Sequence, residues 1–387
     1  MQKDIIKEIE VFKPYEQAVL LCSRSDFNDD IREYVKKLFY SIGFNWYEFL
    51  GISLINRVNG VVYKNIAEIE WLPKYVKYFL KIAYIEQKER VRLHKNEIIK
   101  ISELFEINNI RHAFLKGSVL NTVIYDIGDR ISNDTDIMVH IKDLDRAIDL
   151  LKEEGYIQGV VIDGKLNPAT KKEILFARLN TYEIVPLNKP VDERYLPYHE
   201  VDINFRLGND ATQEESTRLL DETILLEERD YCIRTLPLEE FLVFLCIHHY
   251  REAIMVYKIV YGNDLTLYKF MDVHHFLIKH SNTINWEKLH NIVIKMNRWK
   301  DVYYTLYYTE MLYPGTISDE HLNMFKTEDV SYLNEYKGKD NSDEVYSWEM
   351  DFIHRIFSYD RQCEAIEKIG EENARFDMIH SVLAGKE

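Results

Sequence analysis

The 387-residue sequence is short of positive charge, of clustered cysteines and of long apolar runs, and each shortage argues against a class of function. Lys and Arg number 49 against 65 Asp and Glu, a formal charge of −16. Nucleic-acid binding draws most of its affinity from cations at phosphates, so the balance argues against a polynucleotide partner. The four cysteines, Cys22, Cys232, Cys246 and Cys363, lie far apart with no CxxC spacing, which reads as reduced thiols. No window approaches the ~18 apolar residues of a membrane span. The opening MQKDIIKEIEVFK has no signal-peptide core. The expectation is a cytoplasmic protein with no membrane partner.

Hydrophobic residues are plentiful at 46%, enough for one large core or two to three smaller ones at ~100–200 residues per domain. From Asp29 to Arg111 the apolar spacing is helical, in IREYVKKLFYSI, NWYEFLGISLI and a run from Pro73 to Phe105 that Asn108-Asn109 ends. Between about Ile110 and Leu207 short runs take over (HAFL, DIMVHI, YIQGVVI, YEIVPL, EVDINFRL), marking strands among helices. Leu144, Ala147, Ile148 and Leu151 outline one of those helices, which Gly155 stops. Helical spacing returns after Pro237 in LEEFLVFLCIHHYREA, LTLYKFMDVHHFLIKH and WEKLHNIVIKM. The polar stretch Lys326 to Asp343 reads as a loop before a last helix pair. The chain therefore divides into a helical N-terminal domain over 1–109, an α/β core over 110–230 and a helical C-terminal domain over 231–387.

One segment, Phe114 to Val139, holds what transfer of a phosphorus group needs, a cradle for phosphates and carboxylates for metal. A short strand ends at Leu115 and Lys116-Gly117-Ser118 follows, opening a helix with Val119, Leu120, Val123, Ile124 and Ile127 on one face. Gly117 lets backbone approach a phosphate, and Ser118 adds a hydroxyl. Taken alone, Gly-Ser before a helix is more often an ordinary N-cap. Next, Asp134-Thr135-Asp136 enters a strand whose alternation puts both carboxylates on one face and Thr135 on the other. In HEVDINFRL the same alternation separates Val201, Ile203 and Phe205 from Asp202 and Asn204. Solvated acidic strand faces would look the same one by one.

Together these motifs resemble a known family. The run LKGSVLNTVIYDIGDRISNDTDIMV followed by DRAIDLLKEEGY is similar to the bacterial nucleotidyltransferase family of the DNA polymerase beta superfamily. FNWYEFLGISLINRVNGVVYKNI, HEVDINFRL, LEEFLVFLCIHHY and YKFMDVHHFL carry the likeness across roughly Asn45 to Pro314. The resemblance implies an α+β fold, a small mixed-sheet polymerase-beta-like nucleotidyltransferase core flanked by helical N-terminal and C-terminal domains. It implies Mg²⁺ or Mn²⁺ held by Asp134, Asp136 and Asp202, and an NTP substrate cradled by Gly117 and Ser118. Arg130 matches the family's Arg, and Lys116 by analogy lies near the nucleotide. Two departures stand out: D-T-D replaces the usual D-I-D, and Asn204 stands where the family often has His.

Lys269, three residues before Asp272 on a helix, is a further phosphate candidate, with a solvated ion pair as the alternative. The pairs His248-His249 and His274-His275 make poor joint zinc ligands, since adjacent helical residues diverge by ~100°. They read as packing or pocket-lining residues, with His249 a candidate for an acceptor cleft. The expected activity is metal-dependent transfer of an NMP from an NTP, ATP foremost, to a hydroxyl or amine of a small molecule, peptide or protein, releasing pyrophosphate. The alternative is a catalytically idle nucleotide-binding or protein-interaction module of the same fold.

Overall fold

A computed structural model describes residues 5–132, 134–207, 211–228, 231–338 and 344–370. It is a mixed α+β structure, 57% helical and 14% strand, with helical regions at both ends. By proximity the chain forms two compact units. Among the described residues, one joins 5–84 with 242–370, and the other spans Ile85–Phe241. Helical segments from the two ends of the chain thus share a unit, whereas the sequence alone divides the chain into three consecutive parts.

The Ile85–Phe241 unit carries eight strands: β1 (His112–Phe114), β2 (Asp134–Val139), β3 (Ile157–Ile162), β4 (Lys165–Pro168), β5 (Leu187–Glu193), β6 (Leu196–Asn204), β7 (Ile224–Glu228) and β8 (Tyr231–Thr235). They form one sheet in the order β4-β3-β5-β6-β2-β1-β8-β7. β2 runs parallel to β6, and β1 parallel to β8. The β1–β2, β3–β4, β3–β5, β5–β6 and β7–β8 pairs are antiparallel. The sheet is larger than the five runs suggested because β4, β7 and β8 are short or charge-laden, and the run YEIVPL reaches β5 only at Leu187. It ends at Thr235, whose hydroxyl donates to the Phe114 carbonyl at 2.8 Å. Ile137, Met138, Val139, Val201 and Ile203 are all fully buried, each such side chain contributing ~1.5–3 kcal/mol. The helix Leu144–Glu153 buries Leu144, Ala147, Ile148 and Leu151 as their spacing requires.

After the Lys116–Val119 turn the helix widens into a π turn over Leu120–Ile124. Tyr125 N donates five residues back to Leu120 O at 3.0 Å. The Thr122 hydroxyl donates to the carbonyls of Ser118 and Val119 at 2.8 and 2.9 Å, occupying acceptors that the wide turn leaves open. Ile127, expected on this helix, lies beyond its end. π turns are rare and gather at functional sites.

The other unit is helical, with Trp46–Ile55, Leu267–Lys279 and Trp286–Met296 close to the expected limits. The long helix Lys74–Ile107 and the helix Leu238–Ile254 each contribute to both units. The stretch read as a loop contributes β9 (Glu335–Lys337), paired antiparallel with β10 (Val345–Ser347); residues 339–343 lie outside the described residues. Tyr336, fully buried, packs against Trp348 with ring centroids 4.3 Å apart, which gives this polar segment an apolar anchor. Among the described residues no helix is long and apolar enough to cross a membrane.

Candidate active site

In the parallel register of β2 and β6, Asp136 lies opposite Asp202 and Asp134 opposite Glu200. Side chains two apart on a strand share a face, so Asp134, Asp136 and Asp202 project together. One carboxylate oxygen from each lies within 4.8 Å of the others. Among the described residues this is the group of acidic, histidine or cysteine side chains whose ligand atoms approach closely enough to share an ion. Glu200 and Glu183 add further negative potential. Burial, then the charges of Asp134, Asp136, Glu200 and Glu183, holds the Asp202 carboxyl well above the usual carboxylate range. Burial raises Asp136 to about 6, with Lys116 opposing and Asp134 adding to the rise. Like charges crowded in a partly dry site favour protonation, or a cation between them.

The loop beside the triad is tightly built. Lys116 adopts a positive φ of 45°, a conformation that costs a non-glycine residue ~1–2 kcal/mol. Its ammonium sits 2.7 Å from Asp136 Oδ1, which ties the turn to the carboxylates. A Cβ on Gly117 would meet Ser132 Oγ at 2.3 Å and Arg130 Nη1 at 2.8 Å. The glycine therefore leaves room for Ser132 and Arg130 in the chain's own packing, whatever a phosphate also demands. Arg130 is buried, with Nη1 donating to Ile131 O at 3.2 Å and to Asn121 Oδ1 at 3.4 Å. Ser118 is fully buried, and its hydroxyl has no hydrogen-bond partner among the described residues.

The remaining candidates belong to the other unit. Lys269 belongs to the helical unit, is buried, and contacts Glu252 at 2.7 Å and the carbonyls of Asn263 and Asp264 at 2.8 and 2.6 Å. Three partners match the three donors of an ammonium, so the structure gives Lys269 a structural post. His274 stacks on Tyr313 and its Nδ1 meets Thr316 Oγ1 at 2.7 Å. His275 Nε2 meets Ser23 O at 2.9 Å, His248 faces Glu252 at 3.4 Å, and His249 is buried. Glu200, Glu183 and Ser132 went unnoticed in the sequence. The alternation of HEVDINF already put Glu200 on the Asp202 face, but nothing local marked Glu183.

A three-carboxylate cluster on adjacent strands, beside a lysine-glycine-serine turn, has the parts that metal-assisted transfer of a phosphorus-containing group needs, and the family match gives the class: an enzyme that transfers such groups. Residues 43–314 match the family described as uncharacterised nucleotidyltransferase. The match covers more than half of the chain, and the chain belongs to that family. It begins and ends close to the Asn45–Pro314 limits expected from the motifs. No curated protein matches the chain.

Proposed function

We propose that the protein moves an NMP from an NTP to a hydroxyl or amine of a small molecule, peptide or protein, with release of pyrophosphate. The convergence of Asp134, Asp136 and Asp202 on one face carries this reading, since three oxygen donors that repel one another suit a hard divalent cation. Bound there, Mg²⁺ or Mn²⁺ supplies charge neutralisation at the reacting phosphate. Ser118 offers its buried hydroxyl to the triphosphate, Gly117 its backbone, and Lys116 and Arg130 their positive charge. The acceptor oxygen or nitrogen forms a bond to the α-phosphorus while the bond to the β-phosphate bridge breaks, and pyrophosphate leaves with the electron pair. Asp202, whose raised proton affinity suits a base, takes the acceptor proton or serves as third metal ligand. Lys269 is left out, its donors being engaged.

The charge of −16 favours a neutral or cationic acceptor over a polynucleotide, and we place the reaction in the cytoplasm. ATP is the first donor to test, then GTP, CTP and UTP, with pyrophosphate release measured over a broad acceptor panel. Loss of release in Asp136→Asn with the fold intact is the expected result. Full activity in that variant refutes the assignment, and nucleotide binding with no release across the panel points to the idle module.

A further inference from the structure

The strand face opposite the carboxylates holds a second set of polar side chains. Thr135, between Asp134 and Asp136, is fully buried. Its hydroxyl meets two imidazoles, His94 Nε2 at 3.1 Å and His199 Nε2 at 2.9 Å. His94 comes from the helix Lys74–Ile107 and His199 from β6, three residues before Asp202. His199 Nδ1 in turn meets the Tyr156 hydroxyl at 2.8 Å. One turn on from His94, Glu97 accepts from Lys189 of β5 at 3.0 Å and stands 3.5 Å from the Tyr156 hydroxyl. His94 and His199 are buried, and burial keeps both neutral, lowering His94 to about 4 and His199 well below its usual value.

Two neutral imidazoles and one hydroxyl are matched in number. The hydroxyl has one proton to donate, so one Nε2 accepts it and the other Nε2 donates back to the oxygen. An apolar residue at position 135, such as the isoleucine common in the resembling family, would strand both nitrogens. Stranding a buried polar group costs more than never having had the pair. The D-T-D departure is thus accounted for by two histidines that no local pattern connects to it.

We propose that Thr135, His94 and His199 are positioning residues that lock β2 and β6 to the long helix and so fix the spacing of the three aspartates for the metal ion. The inference rests on the metal reading above. An ion binds well only where its oxygens are already held near their final places, and outer partners of ligands commonly change affinity ~10–100-fold. The backbone of Asp134 and Asp136 flanks the clamped hydroxyl directly. A loose β2 would let those carboxylates drift apart under their own repulsion.

The test is Mn²⁺ affinity measured on the full chain by calorimetry and by the loss of the free Mn²⁺ paramagnetic resonance signal. Wild type, Thr135→Ser, Thr135→Ile, and the triple variant His94→Leu/Thr135→Val/His199→Leu are compared, with Asp136→Asn as control. The triple variant removes the polar groups together and so keeps a folded protein within reach. Expected are wild-type affinity within about twofold for Thr135→Ser, and a loss of about tenfold or more for Thr135→Ile and the folded triple variant. Undiminished affinity in the folded triple variant, with binding abolished in Asp136→Asn, overturns the positioning role and leaves the metal site standing. Absence of Mn²⁺ binding by wild type overturns both.

Discussion

The two faces of the β2–β6 pair solve opposite electrostatic problems with the same backbone. On one face Asp134, Asp136 and Asp202 repel one another, and burial raises the proton affinity of Asp136 and Asp202. On the other, burial strips His94 and His199 of charge, and the Thr135 hydroxyl joins them. One face carries repulsion that Lys116 offsets only at Asp136 and that an external cation can relieve further. The other has its needs met within the chain. Side-chain alternation, a period of two residues, is what keeps chemistry and scaffold apart on a single strand.

That contrast can be broken most severely at Asp136. Asp136→Asn is expected to lower pyrophosphate release at least ~1000-fold, by removing a metal ligand from the transition state. The same variant should make the metal-free fold more stable at pH 7 by about 1–3 kcal/mol in urea unfolding, because a raised carboxyl pKa is a folding penalty. The penalty is present above pH 6 and disappears as pH falls through the window from about 6 to the ordinary value of 3.8. His94 contributes with the opposite sign: neutral when folded, it favours the fold above its ordinary value of 6.5, and that contribution is lost as pH falls towards about 4. Asp136→Asn should therefore lose stability more steeply than wild type between pH 6 and pH 4, and parallel curves would contradict the contrast.

Gly117→Ala sharpens the comparison on the carboxylate side. The added Cβ must displace both Ser132 and Arg130, at about 1–3 kcal/mol in thermal or urea unfolding, with weaker nucleotide binding in calorimetry. A smaller effect is expected for the metal itself. Mn²⁺ affinity should fall as pH drops from 7 to 5, as protons compete at Asp202, held well above its ordinary value, and at Asp136, raised to about 6; a flat profile in calorimetry over that range would count against both as ligands.

Much of this site was legible in the sequence because its grammar is local. Asp134, Asp136 and Asp202 share a face by strand alternation, and the helix over Leu144–Glu153 follows from its apolar spacing. The two strands could not be paired from sequence, since the Asp136–Asp202 register joins residues 66 positions apart. Nothing local in the helix Lys74–Ile107 marks His94, and only the tertiary arrangement brings it to Thr135. Lys269 was misleading for a related reason: its position three residues before Asp272 suggested a surface or ligand role, whereas its ammonium is buried against Glu252 and two carbonyls. The turn at Gly117 was legible as a phosphate cradle or an ordinary N-cap but not as a packing constraint, because the approach of Ser132 and Arg130 depends on tertiary placement.

β6 and β2 occupy the fourth and fifth places in a sheet of eight, each flanked on both sides by a bonded strand. Amide protons in such strands exchange with solvent only when a large part of the unit opens, unlike those of edge strands, which fray alone. The aspartates are thus mounted on backbone expected to exchange more slowly than the edge strands of their unit. A ligand gripping them would slow deuterium uptake far beyond the residues it touches.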